Sequence, residues 1–268
     1  MIKHHRVEPG SKVRLDQVDA SSTAGFPGGK RKTAKAFADL NRRLHELQTK
    51  LWAEHRRKVL VVLQGMDTSG KDGTISHVFH GVNPLGVRAV AWKAPAGAEV
   101  DHDFLWRIHA QVPGAGEMAI FNRSHYEDVL VARVRQLVPK EVWKARYAQI
   151  NDFERLLAET GTRVLKFFLH IDRDEQRKRL EERLAEPAKR WKFRPEDLED
   201  RKLWEDYMAA YQDALNRTST AAAPWFVVPA NKKWYRNLVV ATVLVDTLEE
   251  MRPHYQETNV DLRQVVIE

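Results

Sequence analysis

The chemistry of this chain starts from Gly65, Gly70 and Lys71, set in the stretch Leu-Gln-Gly-Met-Asp-Thr-Ser-Gly-Lys-Asp-Gly-Thr at 63–74. Glycine reaches backbone angles that a side chain would block, so successive amides of such a loop can point inward at phosphate oxygens. Lys71 adds a mobile full charge, and the helix expected to begin near Gly70 adds its positive dipole end. Gly65, Met66, Thr68, Ser69, Gly70 and Gly73 are therefore expected to line a phosphate cradle, with Lys71 exposed in it. One letter departs from the nucleotide-binding pattern: Asp72 stands where a magnesium-binding Ser or Thr is expected. Two carboxylates, Asp67 and Asp72, beside an anion site would repel the anion unless they face a divalent cation or take a proton. Asp67, inside the loop, is the stronger metal candidate. Asp72 is either part of the site or an acid in a first helical turn, where the dipole favours it.

Two further groups bear charge suited to phosphate. Asn122 and Arg123 end an apolar run that begins at Met118, and Ser124 follows as a candidate helix cap. Asn122 takes the place where phosphate-loop enzymes often carry an indirectly metal-holding aspartate, and Arg123 is placed to clamp a phosphate. Further on, Arg179 and Arg183 lie one helical turn apart, and Lys189, Arg190 and Lys192 follow Pro187. Such a cluster suits a lid that closes over transferring phosphates. Interleaved Glu181, Glu182 and Glu186 leave a salt-bridged solvent helix as the competing reading.

These residues need elements to hold them. Apolar runs at 59–63, 88–92, 118–121, 164–169 and 225–228 alternate with helical patterns at 70–80, 101–111, 125–137, 141–159, 173–185, 195–217 and 234–251. That alternation predicts an α/β fold, a P-loop kinase-like three-layer α/β/α arrangement with a five-stranded parallel sheet and a helical lid. An irregular arm is expected at 1–29, and one domain at 30–268 with the lid at about 173–200. Phe37, Leu40, Leu44, Leu47 and Leu51 mark a first amphipathic helix whose stripe is expected on the domain's own sheet, a subunit contact being the alternative. With 44 Lys and Arg against 37 Asp and Glu, the net charge of +7 favours polyanionic partners without choosing among them. The absence of cysteine suits a reducing cytoplasm. No signal-peptide pattern and no spanning apolar stretch occur, so a cytoplasmic protein with no membrane partner is expected.

Taken together, "GMDTSGKDGT", "FNRSHYEDV", "LHIDRDEQRKRLEERL", "KRWKF" and "APWFVVPANKKWYRN" resemble polyphosphate kinase family 2, in this order and over nearly all of 29–252. The resemblance implies phosphoryl transfer between inorganic polyphosphate and nucleoside mono-, di- and triphosphates. It implies Asp67, Lys71, Arg123 and Arg183 as catalytic residues, Asp67 as the ligand of Mg2+ (or Mn2+), and Arg179 on phosphates, where the basic cluster of the lid also puts Lys189 and Arg190. It also removes the puzzle of the odd aspartate, because that family needs no Ser or Thr after the lysine. Many of its members carry Gly at the place of Asp72, so no family role passes to that residue. Where many relatives read Phe-Asp-Arg-Ser-Trp-Tyr-Asn-Arg, this chain reads Phe-Asn-Arg-Ser-His-Tyr-Glu-Asp at 121–128, a form resembling the class III subgroup that accepts both mono- and diphosphates. Asn122, Glu127 and Asp128 are accordingly expected at the nucleotide, and the protein is expected to be a homo-oligomer. An ATP-dependent nucleoside monophosphate kinase and a non-catalytic polyanion or RNA-binding protein are the rival functions. Nucleic acid is not expected as a partner, since no aromatic stacking motif of the common RNA-binding modules is present.

Overall fold

The computed structural model of the protein describes residues 2–26, 28–257 and 265–267. Positions 1 and 27 of the expected arm, and 258–264 and 268 of the expected domain, lie outside the described residues.

Six strands form one sheet: β1 (Arg6–Val7), β2 (Lys58–Gln64), β3 (Val87–Ala91), β4 (Met118–Asn122), β5 (Thr162–His170) and β6 (Trp225–Pro229). Their spatial order is β1-β6-β5-β2-β4-β3. The five expected strands are all present and parallel. The sixth, β1, corrects the expected count and the irregular reading of the arm: Arg6 and Val7 pair antiparallel with Phe226 and Trp225. Two residues are too short for any alternation to register in a sequence. Central β2 is buried along nearly its whole length, which explains its unbroken Val-Leu-Val-Val-Leu run; a parallel strand covered on both faces has no solvent side to make polar.

Nine α-helices occur among the described residues: α1 (Gly29–Glu54), α2 (Lys71–Val78), α3 (Trp106–His109), α4 (Val131–Val134), α5 (Lys140–Glu159), α6 (Arg173–Ala185), α7 (Glu196–Lys202), α8 (Trp204–Thr218) and α9 (Lys233–Met251). Helices α1, α2 and α9 pack together, as do α4, α5 and α8. The stripe of α1 rests on α9 instead of directly on the sheet. Leu40, Leu44 and Leu51 are buried there, and α9 is apolar almost all round because it lies between α1 and β6. Among the described residues no helix is long and apolar enough to cross a membrane.

Three expected helices are shortened or divided. At 125–137 a tight 3-10 turn, His125–Asp128, replaces the first turn of helix, since Ser124 Oγ accepts from Tyr126 N at 3.1 Å and both His125 and Tyr126 turn inward. At 101–111 only α3 is helical; the Asp103 carboxylate takes the Leu105 amide at 2.9 Å and closes a turn before it. The stretch 195–217 breaks at Leu203 into α7 and α8, clasped where Tyr207 donates to Asp200 at 2.8 Å.

Register decides what meets at the carboxyl edge of the sheet. Leu63 lies beside Asn122 on one side and Phe167 on the other. The loop after β2, the turn after β4 and the start of α6 after β5 therefore share the edge where open α/β sheets bind ligands.

Candidate active site

The loop at 65–70 is tight for identifiable reasons. Gly65 has φ +148°, and a Cβ there would fall 2.7 Å from Leu169 O. Gly70 has φ +99°, and a Cβ there would lie 1.7 Å from a guanidinium nitrogen of Arg236. Thr68 takes a left-handed φ of 66° without being glycine, local strain of the kind that functional loops hold. Ser69 N closes on Met66 O at 3.0 Å. The hydroxyls of Thr68 and Ser69 are buried and, among the described residues, have no hydrogen-bond partner, so the loop carries polar groups that those residues leave unsatisfied. Gly73 lies in α2, against the Arg236 side chain.

Lys71 is not exposed, as the sequence led us to expect. It is 8% exposed, and its ammonium folds back to donate to Gly65 O at 2.7 Å and Met66 O at 3.2 Å. Burial first, and the nearby Arg123 second, lower its pKa to about 8.

Arg123 projects from the end of β4 with φ 63°, its amide bonded to Leu63 O at 3.0 Å. Its guanidinium donates to Asp67 Oδ1 at 2.8 Å and to Glu127 Oε2 at 3.4 Å. Glu127, with Asp67, holds Arg123 firmly protonated against its burial. The turn is rooted below in a buried cluster: Lys166 Nζ donates to Glu154 Oε2 at 2.5 Å, to Tyr126 OH at 2.9 Å and to Thr218 O at 2.7 Å. His125 Nε2 faces the other Glu154 oxygen at 3.3 Å. Burial opposes the charge on Glu154, yet Lys166 and His125 together hold its carboxyl below the usual range.

Asp72 joins three elements. Its Oδ1 accepts from Asn122 Nδ2 at 2.7 Å, and its Oδ2 accepts from Lys192 Nζ at 3.0 Å. Burial works against its charge, but Lys192 and Asn122 outweigh it and depress the carboxyl. Asp72 is thus more than an acid in a first helical turn, since it ties α2 to β4 and to the lid. Of the expected nucleotide contacts, Asn122 is engaged with Asp72 and Glu127 with Arg123. Asp128 Oδ1 accepts from Arg146 at 3.1 Å, and burial raises its pKa against that arginine.

The lid arginines divide by role. Arg183 reaches Asp197 Oδ2 at 3.1 Å, and Asp197 is itself raised by burial and by the neighbouring Asp67 charge. Arg183 therefore stands at the site. Arg179 departs from the phosphate contact expected of it: all five of its N–H groups meet protein oxygens. They reach Glu175 (2.7 Å), Thr68 O (2.9 Å), Ser69 O (3.2 Å), Ala230 O (2.7 Å) and Asn231 O (2.9 Å). It braces the loop from behind. Lys189 pairs with Glu186 at 2.7 Å and Arg190 Nε donates to Leu184 O at 2.9 Å, so their bonds run within the lid segment and not to the loop.

Sequence reasoning missed four contributors. Lys192 was expected only as one of the lid's basic residues, and its tie to Asp72 gave no signal. Asp197 gave no signal beyond an acidic helix start. Gln176 donates to Asp67 O at 3.3 Å. Arg236, inside the "NKKWYRN" segment, donates to Ser69 O at 3.2 Å, and burial followed by Arg179 lowers its pKa to about 9. With Arg179 it sets two cations beneath the loop, making the cradle electropositive without touching a ligand.

Among the described residues no cluster of three His, Cys, Asp or Glu side chains forms a ready-made metal cage. Magnesium needs none, because one or two carboxylates with substrate phosphates and waters complete its octahedron. Asp67 fits: a hard oxygen donor at the loop, with Oδ2 free of hydrogen bonds among the described residues. Several cations and carboxylates therefore meet around a tight glycine-containing loop, an arrangement suited to moving phosphoryl groups.

Comparison with known proteins agrees with this geometry. The sequence pattern of the family described as Polyphosphate kinase 2 (PPK2) matches residues 29–256. The AMP/ADP-polyphosphate phosphotransferase of Meiothermus ruber is 55% identical over 267 residues, covering 100% of both chains. The ADP-polyphosphate phosphotransferase of Rhodopseudomonas palustris is 40% identical, covering 99% of this chain and 96% of its own. The crystal structure of Polyphosphate Kinase 2 from Arthrobacter aurescens TC1 superposes with a TM-score of 0.93 at 46% identity, over 96% of this chain and 92% of that one. A family pattern matched over 29–256, together with a fold that superposes over nearly its full length, places this chain in the polyphosphate kinase 2 family.

Proposed function

We propose that this enzyme transfers the terminal phosphoryl group of inorganic polyphosphate, in line, to a phosphate oxygen of a nucleoside mono- or diphosphate, and that the reaction runs in both directions. The observation that carries this reading is the convergence of Lys71, Arg123, Arg183 and Lys192 with Asp67 and Asp72 at one sheet edge. The loop amides and Lys71 hold the donor end, while Arg123 and Arg183 meet the equatorial oxygens as charge shifts. The acceptor oxygen is already ionised at neutral pH, so positioning and charge neutralisation supply most of the rate and no strong base is needed. Asp67 would hold Mg2+, which when bound offsets the charge of the phosphate oxygens. For Asp67 to do so, Arg123 must release it and turn to phosphate, an exchange of partners that substrate binding itself drives. The arm and the lid, at about 173–200, serve one kinase domain in this reading. A cytoplasmic setting and a homo-oligomeric state belong to it through the family resemblance.

The test is a time course with AMP, polyphosphate and magnesium, and no ATP. ADP is expected to rise and then decline as ATP accumulates, since an acceptor longer by one phosphate must still be held in line. No product from polyphosphate would sink the donor assignment. ADP accumulating alone, with added ADP left untouched, would remove diphosphates as acceptors.

The depressed pKa of Lys71 predicts a pH limit. Below about 8 its ammonium is charged and binds phosphate; above it the charge is lost. Accordingly kcat/KM for polyphosphate, which reports the free enzyme, should fall above about pH 8. Loss of this proton does not itself unfold the protein. Between about 8 and the unfolded value of 10.5 the unfolded chain holds the extra proton, so this group's contribution to stability rises with pH there. A profile flat to pH 9.5, roughly 1.5 units past that value, would remove Lys71 as the titrating group.

A further inference from the structure

Trp191 lies in the lid's short 3-10 segment, Pro187–Lys192, and is 77% exposed. An indole in water leaves a large apolar face uncovered, and among the described residues no other aromatic ring packs on this one. Its position is what gives the exposure meaning. The Lys192 ammonium lies 5.0 Å from the Trp191 ring centroid and 3.0 Å from Asp72 Oδ2. The ring therefore stands at the rim of the phosphate site, separated from the first turn of α2 by one ammonium group.

We propose that Trp191 is the platform on which the nucleobase of the nucleotide substrate stacks. This rests on the kinase reading given above. A nucleotide whose phosphates lie among Arg123, Lys192 and the loop must project its base away from that charge, toward the rim. There the structure provides a flat π-face beside a cation that suits the phosphate end. The other exposed indole that follows a strand's carboxyl end, Trp106, is stacked on His102 with centroids 4.1 Å apart and is 46% exposed, whereas Trp191 meets no ring among the described residues and has only the Lys192 ammonium over it. Stacking reads a π-face and no base edge, so the platform serves any nucleobase and grips purines more strongly than pyrimidines. Because the ring rides on the lid, base binding also draws the lid toward the site and brings Arg183 with it.

The test compares the full-length protein with Trp191→Ala and Trp191→Phe, titrating ADP and inorganic polyphosphate separately by calorimetry. ADP affinity is expected to fall about tenfold in the Ala variant and to be largely restored by Phe, as loss of one base–aromatic stack implies. Polyphosphate, which has no base, should bind all three proteins equally. GDP should lose as much as ADP, and CDP and UDP less. Unchanged ADP affinity in Trp191→Ala would overturn the proposal, and so would equal losses for ADP and polyphosphate, which would mean a disturbed lid. Failure of the kinase reading shows separately, as wild-type protein that binds ADP but transfers nothing to it from polyphosphate.

Discussion

Lys71→Met is expected to lower turnover on the order of a hundredfold or more, the usual loss when one well-placed electrostatic stabiliser of a transferring phosphoryl group is removed. Methionine keeps most of the buried stem and removes the ammonium, which makes it a cleaner test than alanine at a side chain only 8% exposed. Lys71→Ala should lose as much activity and some stability besides, because it opens a small cavity and leaves Gly65 O and Met66 O without their donor. The loss in stability has a limit, since the wild-type protein already bears a buried charge that its pKa of about 8 shows to be unfavourable. Turnover and thermal midpoint measured on both variants separate the two effects. A Met variant that melts like wild type and still turns over normally would take Lys71 out of the chemistry.

How far the site could be read beforehand depends on what kind of contact each residue makes. The strand, loop and helix around Gly65 and Gly70 were legible because their causes are local: an apolar run, two glycines, then a helix. The left-handed φ values at both glycines follow from the same local logic. Lys71 was misjudged because its burial depends on the side chain turning back onto the loop carbonyls, which no spacing encodes. Arg179 and Arg183 were correctly placed on one helix, yet their roles diverge. Arg179 meets carbonyls at Thr68 and Ala230, brought beside α6 only when β2, β5 and β6 align. Long-range partners of this kind also explain why Arg236 and Asp197 went unnoticed. Helix limits failed where side chains competed with backbone bonding, as Ser124 does ahead of the turn His125–Asp128. The strand β1 failed for a different reason, being two residues long and stabilised wholly by its partner β6.

Arg123→Ala should be more damaging than loss of one phosphate contact, on the order of a thousandfold in kcat/KM, because it changes the sign of its surroundings. Its guanidinium now stands between Asp67 and Glu127; without it two carboxylates face the incoming polyanion unopposed. Arg123→Lys keeps a charge but lacks the planar fork that reaches two partners at once, so an intermediate loss is expected. The double variant Arg123→Ala with Glu127→Gln tells repulsion from lost catalysis. Removing one of the stranded carboxylates should restore substrate affinity while leaving turnover low, if the arginine acts on charge that appears only during transfer. Recovery of both would mean that Arg123 serves mainly to neutralise its two neighbours. A single Ala variant within about fivefold of wild type, a change near 1 kcal/mol, would instead reduce Arg123 to a brace for Asp67. In that case Arg183 and Lys192 would have to stabilise the transferred group by closing from the lid alone.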